Sequence, residues 1–306
     1  MTEMTEMTEM TNRAEMRIVS LLPSATEILF ALGLGEQVAA VTHECDYPPA
    51  AARKPHITKS LLRPDMTSGE IDAAVKSQLS TDAHSLYAID RALLARIAPD
   101  LIVTQQLCEV CAVAYDEVLD AVRALPRRPE VLNLEPSTLA DVFADVHRVG
   151  AAADRQDTAG QVVAELEARV ARVREIVSGV AARPVVAFLE WIDPLFCGGH
   201  WNPELVRLAG GIDPLGREHQ PSERITWEAV REARPEVMVI SCCGFSAERA
   251  RQDLPILEAL PGYADLPCAR DGRVHVVDGA AYFSRPGPRL VDSLELLARL
   301  IHPELF

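Results

Sequence analysis

One stretch near the middle of the chain limits the fold more than any other. From Thr158 to Ser178 there is no proline, and the only glycine, Gly160, stands close to the start. Val163, Leu166, Val170, Val173 and Val177 recur at spacings of three and four, while Glu165, Glu167, Arg169, Arg172, Arg174 and Glu175 fill much of the rest. That period gathers the apolar residues on one face of an α-helix. About 20 residues rising 1.5 Å each give roughly 30 Å, the diameter of a small domain. A helix of that length is a stiff strut, and it is expected to bridge two separate lobes.

The flanks support this division. Before the strut, Arg17 to Leu22 is a short β-branched and apolar run that ends at Pro23. Ser24, with Glu27 three residues later, reads as a capping box that opens a helix ending at Gly33 and Gly35. Strands are expected at Val38 to Val41, Asp100 to Thr104 and Val131 to Leu134, with helices at Asp90 to Ile97 and Cys111 to Leu125. After the strut, strands are expected at Pro184 to Leu189, Glu236 to Ser241 and Val274 to Val277. Helices fall at Asn202 to the Gly210-Gly211 pair, Trp227 to Ala233 and Pro288 to Ile301. Strands alternating with helices imply largely parallel sheets. The halves also echo each other. Leu93 to Thr104 and Glu228 to Ile240 each read as a helix, then proline and an acid, then a buried strand.

The expected fold is therefore α/β, with two Rossmann-like lobes joined by one long helix and a ligand cleft between them. Residues 1–15 repeat Met-Thr-Glu and read as a disordered tail with nothing to bury. Residues 16–153 form the N-terminal lobe, 154–180 the linking helix and 181–306 the C-terminal lobe. The tail has neither a basic nor an apolar segment of a secretory signal, which implies a cytoplasmic protein. No apolar run is long enough to span a bilayer, so membrane insertion is not expected. A net charge of −15 argues against a nucleic-acid partner. Seven cysteines, an odd number, argue against a disulfide framework and leave packing, metal binding or redox chemistry.

Ile18-Val19-Ser20-Leu21-Leu22-Pro23-Ser24-Ala25-Thr26-Glu27, the Pro99 to Val103 pattern and the long central helix together resemble the helix-linked (class III) periplasmic binding proteins for cobalamin, heme and iron chelates. Among these, the chain is most similar to the cobalamin-binding proteins of vitamin B12 uptake, and the likeness covers nearly all of it after the tail. The resemblance implies a ligand-binding protein of the ABC transporter substrate-binding fold, taking a corrinoid or a related metal-bearing tetrapyrrole. Without a signal peptide it looks like a cytoplasmic branch, acting as carrier or sensor, for which docking to an ABC permease is not expected. An orphan transport component is a further reading.

In open α/β sheets ligands bind beyond the carboxyl ends of the strands. The segments that follow a predicted strand hold Pro23 and Ser24, His43 and Tyr47, Trp191, His200 and Trp201, and Tyr282, Phe283, Arg285 and Arg289. Trp191, Trp201, Tyr47, Tyr282 and Phe283 offer flat apolar faces to a macrocycle. His200 and His43 are candidate axial ligands for its metal. Arg285 and Arg289 suit carboxylate or phosphate groups near the last helix's N-terminus. The plainer reading of each is hinge packing, hydrogen bonding or surface ion pairing.

Cysteines collect in the same loops. Cys108-x-x-Cys111 can chelate one metal, and Cys45 and Cys243 from other loops complete a Cys₄ set suited to zinc or an iron–sulfur cluster. The plainer reading is that buried cysteines act as small hydrophobes. Glu44, Asp46, Glu109 and Glu190 are acids in these loops, but no nucleophile–base–orienter set accompanies them. No catalytic residue is therefore assigned, and possible redox chemistry at the thiols is the one enzymatic reading left open.

Overall fold

The computed structural model describes residues 16–63, 66–79, 86–105 and 115–306. The chain divides into two compact units. The first comprises Met1–Pro64, Ala74–Glu135 and Phe143–Val163, the second Asp65–Ala73, Pro136–Val142 and Ala164–Phe306. The predicted tail, Cys108, Cys111 and the start of the predicted Cys111 to Leu125 helix lie outside the described residues.

In the first unit, β1 (Ile18–Ser20), β2 (Val38–Ala40), β5 (Leu101–Gln105) and β6 (Glu130–Leu134) form a parallel sheet in the order β2-β1-β5-β6. Successive strand residues serve opposite faces, as a pleat of period two requires. Ile18, Leu101 and Val103 pack with the helices Pro23–Ala31 and Leu139–Ala152, while Val19 and Ile102 pack with the helices Arg91–Ile97 and Tyr115–Arg123. Both faces of the sheet are thus covered, which is why β1 and β5 are apolar along much of their length and buried throughout. A separate antiparallel pair, β3 (Thr58–Ser60) with β4 (Tyr87–Ile89), lies in the same unit.

The second unit is built on β7 (Val186–Trp191), β8 (Phe196–Cys197), β9 (Val237–Ile240) and β10 (Val274–Val276), in the order β10-β9-β7-β8. Only β8 runs antiparallel, because a short return after Trp191 brings the chain straight back along β7. That return positions the loop that follows, Gly198 to Trp201.

The echo between the halves is a repeated structural device. Asp90 and Thr226 cap the helices Arg91–Ile97 and Trp227–Ala233 with their side chains. Ala98 and Arg234 end those helices in the left-handed region, at φ 46° and 48°. The acid after each proline then fixes strand register. Asp100 N–H donates to Arg17 O at 2.8 Å while its carboxylate accepts from Arg17 N–H at 2.9 Å, and Glu236 does the same with Val185 at 2.8 and 2.9 Å.

The linking helix is continuous over Gln156–Val177. Its early residues Ala159 and Val163 belong to the first unit's core. Further along, Arg169 reaches the closing helix Leu290–Ile301 of the second unit, where Nε and Nη2 donate to the two Glu295 carboxylate oxygens at 2.9 and 2.8 Å and Nη2 also meets Asp292. The pairing raises the Arg169 pKa and lowers that of Glu295. Both side chains are about one-third exposed, so solvent screens the pair. Arg169→Met is expected to cost about 1 kcal/mol at neutral pH. Because the Glu295 pKa is lowered in the folded state, that difference fades on acidification through its folded value, which thermal melts at pH 7 and pH 3 will show.

Two local readings need correction. Ser24 does not cap the first helix. That helix starts at Pro23, its cap position is Leu22 with no side-chain bond, and Ser24 is buried inside it. Proline has no N–H to leave unsatisfied and is pre-set for the first helical position, so the boundary falls one residue earlier than a serine cap would put it. Sequence reading also passed over the helices Ser68–Leu79, Leu139–Ala152 and Ala247–Glu258 and the strands β3, β4 and β8. Two of those helices open on reciprocal capping boxes. Thr67 and Glu70 exchange side-chain-to-backbone bonds at 3.2 and 2.8 Å, and Thr138 and Asp141 at 2.9 and 2.9 Å.

Candidate functional site

The carboxyl ends of the first unit's strands carry Pro23, Ser24 and the loop after β2. Pro23 is half-buried at the helix start and Ser24 is buried within the helix. Thr42 begins a tight turn in which Cys45 Sγ lies 3.1 Å from both Thr26 Oγ1 and Thr42 Oγ1. Cys45 is 3% exposed, so its thiol is an interior packing group with hydroxyl partners. His43 Nδ1 is 2.8 Å from Thr58 Oγ1 on β3, and its ring lies 5.3 Å from that of Tyr87 on β4. Burial and the nearby His56 lower its pKa, which keeps the ring neutral. Tyr87 Oη donates to Glu44 at 3.4 Å. Tyr47 is 44% exposed.

The second unit gathers more. After β7, Trp191 lays its ring 4.8 Å from that of Phe245, and its indole N–H donates to Asp193 O at 3.0 Å. The Arg249 guanidinium sits over the Phe245 ring, 4.3 Å from its centre. The loop after β9 is zipped to its neighbours: Cys243 N–H donates to Glu190 O, and Ala280 N–H to Phe245 O, both at 3.1 Å. Cys243 is half-buried, whereas Cys242 is fully buried and desolvation pushes its thiol up to about 12. After β10, Asp278 caps a wide single turn, Gly279–Phe283, by accepting from Ala281 N–H at 2.7 Å. Tyr282 is half-buried on that turn. Arg285 is 7% exposed and Arg289 half-buried.

The loop Gly198 to Asn202 is the most constrained part of this edge. His200 takes φ +50°, a conformation uncommon for a residue with a side chain. Its N–H donates to Gln220 O at 2.6 Å and its carbonyl accepts from His219 N–H at 3.1 Å. Burial lowers the His200 pKa, so its half-buried imidazole is neutral and keeps a lone pair. Trp201 is 6% exposed, with its indole N–H on Phe283 O at 2.9 Å, and Phe283 is 1% exposed, edge-on to Phe188 at 5.2 Å. These two rings, expected to face a ligand, are interior in this structure because they pack against the sheet and against each other's turn. The partly open groups of the edge are Trp191, His200, Cys243, Phe245, Tyr282 and Arg289.

Two acids that sequence reading did not single out as structural lie in this region, Glu190 against the loop and Asp213 near enough to act on the Glu190 charge. Glu190 Oε1 accepts from Gly199 N–H at 2.8 Å and from Asn202 Nδ2 at 2.7 Å, and Ser222 also donates to the carboxylate. Desolvation raises its pKa against those bonds. Asp213 Oδ1 accepts from Leu215 and Gly216 N–H groups at 3.0 and 3.1 Å, while Oδ2 is buried without a partner, and burial lifts its pKa to about 6. Only Glu190 had a signal in the sequence, as an acid just past a predicted strand.

Of the proposed cysteine set, Cys45 belongs to the first unit and Cys243 to the second, and Cys108 and Cys111 lie outside the described residues. Among the described residues no group of three or more His, Cys, Asp or Glu side chains is arranged to hold a metal ion. Cys197, Cys242 and Cys268 are free thiols. No described helix is long and apolar enough to cross a membrane.

Two α/β units built on parallel sheets, with polar and aromatic loops at the strands' carboxyl ends and one helix continuing from the first unit into the second, define the solute-binding protein class. Residues 18–281 match the periplasmic binding protein family, and the chain belongs to it. The vitamin B12-binding protein of Vibrio cholerae is 22% identical over 282 residues, covering 91% of this chain and 86% of that one. Among solved structures, the periplasmic heme-binding protein of Roseiflexus in its apo form superposes with a TM-score of 0.70 at 21% identity, covering 95% of this chain and all of that one. The periplasmic vitamin B12 binding protein of Vibrio cholerae superposes at 0.67 with 20% identity, covering 94% and 96%.

Proposed function

We propose that this protein binds a tetrapyrrole, with a corrinoid preferred over heme, and that it does so inside the cell as a carrier or sensor. The observation that carries the reading is His200: a neutral, half-buried imidazole held in a left-handed conformation on the carboxyl edge of the second unit's sheet. A neutral ring nitrogen is the form that ligates cobalt or iron. Trp191, Phe245 and Tyr282 on the same edge supply partly open aromatic surface for a flat macrocycle. The relatives named for vitamin B12 and heme support the ligand class, and the vitamin B12-binding name of the curated relative favours the corrinoid. The free thiols of Cys197, Cys242 and Cys268 support a reducing compartment.

Titration of the purified protein with cyanocobalamin and, separately, with hemin tests this. Cobalamin should bind saturably at micromolar concentration or below, and His200→Ala should weaken it about tenfold and abolish the ligation-dependent change in absorbance. Tighter binding of hemin than of cobalamin would reject the corrinoid preference. Folded protein that binds neither at tens of micromolar rejects the tetrapyrrole reading. An iron–sulfur cluster or zinc on the cysteines is the competing reading. Protein purified without oxygen would then carry cluster absorbance, or zinc by elemental analysis.

A further inference from the structure

The Gly198 to Asn202 loop bears His200 in a conformation that a residue with a side chain does not favour by itself. Its residues are not helical until Asn202, and His200 sits at φ +50°, where a β-carbon is crowded. On one side the loop is pressed against the chain at Pro221–Ser222: a β-carbon on Gly199 would stand 2.2 Å from Ser222 N. On the other side lies Glu190, at the end of β7. One of its oxygens takes a hydrogen bond from the backbone of Gly199, before His200, and from the side chain of Asn202, after Trp201. The two bonds close a ring around His200 and Trp201. Glu190 is itself anchored at both ends of its backbone, within β7 and by its carbonyl, which accepts from Cys243 N–H.

We infer that Glu190 is the positioning residue of this binding edge, fixing the His200 imidazole toward the ligand by bracketing it from Gly199 to Asn202. This rests on the tetrapyrrole reading for its ligand and deepens it. Without the carboxylate, Gly199 N–H and Asn202 Nδ2 lose their acceptor in a desolvated place, and only the backbone bonds of His200 to Gln220 and His219 still oppose relaxation of its strained conformation. A glutamine retains an acceptor oxygen at the same reach. Aspartate, one methylene shorter, withdraws it.

The test compares Glu190→Ala, Glu190→Gln and Glu190→Asp. With cyanocobalamin or hemin, Glu190→Ala should bind about tenfold more weakly, as His200→Ala does, and lose the His200-dependent spectral change, whereas Glu190→Gln should stay within about threefold of the parent. The double variant Glu190→Ala with His200→Ala should bind no more weakly than the weaker single one, since both remove the same interaction. Glu190→Ala that binds like the parent, or that loses affinity while keeping the His200-dependent spectrum, overturns the inference. Should that variant not fold, Glu190→Asp is read by the same criteria. If the parent binds neither tetrapyrrole, the functional reading fails alone, and amide hydrogen exchange decides the positioning role. Protection at Gly199 and His200 should fall about 100-fold in Glu190→Ala and hold in Glu190→Gln. Unchanged protection in both variants overturns it.

Discussion

Gly279→Ala is expected to cost the second unit about 3 kcal/mol or more. A β-carbon at this position would stand 2.2 Å from the carbonyl oxygen of Cys242 and 2.9 Å from its carbonyl carbon. Both atoms are backbone at the end of β9, so no side-chain rotation relieves the clash. Either the turn Gly279–Phe283 lifts off or the β9 edge shifts, and each carries the buried Phe283 ring with it. Gly244→Ala is the control. Gly244 has φ +73° but nothing within 4 Å of a β-carbon, so its cost is conformational only, about 1 kcal/mol. Melting curves of the two variants should differ by several degrees, with Gly279→Ala the lower. Equal melting temperatures would mean that the turn yields without strain.

Asp213→Asn is expected to stabilise the protein at neutral pH. The Asp213 carboxyl is buried, and its pKa stands at about 6 against an ordinary 3.8. A carboxyl whose folded value is raised contributes its full stability below the unfolded value, where both states hold the proton. It loses that contribution as pH rises through the folded value, so the loss is complete above pH 6. A shift of this size corresponds to something on the order of 2–3 kcal/mol. The geometry gives the reason. A β-carbon on Gly216 would lie 2.7 Å from Gly198 O and 2.8 Å from Asp213 Oδ2, so two acceptor oxygens face the same small space, and Oδ2 has no partner there. Asparagine keeps Oδ1 for the Leu215 and Gly216 N–H groups and turns an N–H₂ toward Gly198 O. Urea denaturation at pH 4 and at pH 7.5 should show the variant about 2 kcal/mol ahead at the higher pH and no better at the lower. A constant difference at both pH values would show that Asp213 titrates normally.

The alternation of strands and helices, the strut and the repeated helix-Pro-acid-strand unit were legible because each is written in local periodicity and in residues with fixed backbone demands. The capping pattern was legible too, but not its location. Ser24/Glu27, Thr67/Glu70 and Thr138/Asp141 all fit one pattern, and the residue just before Ser24, Pro23, removes the first from the set. The carboxyl-edge loops could be named because strand direction places them. Which of their side chains stay open could not. Trp201 and Phe283 share a hydrogen bond across 82 residues, and no local signal says that their rings close on the interior. Glu190 meets the Gly198 to Asn202 loop because β8 returns along β7. A two-residue strand leaves no periodicity to read.

Neither unit is a contiguous length of chain. Asp65–Ala73 and Pro136–Val142 belong to the second unit although they are translated within the first. On the ribosome, the first unit's share of the chain is complete once Val163 has been added. At that moment the carbonyl of Ser68 and the N–H of Leu139 still lack their partners, the Trp191 indole and the Glu204 carboxylate, which lie 123 and 65 residues downstream. The nascent protein therefore carries two unmatched strips on an otherwise finished body until the rest of the polypeptide emerges. A gene cut at the linking helix would separate the second body from two of its own pieces.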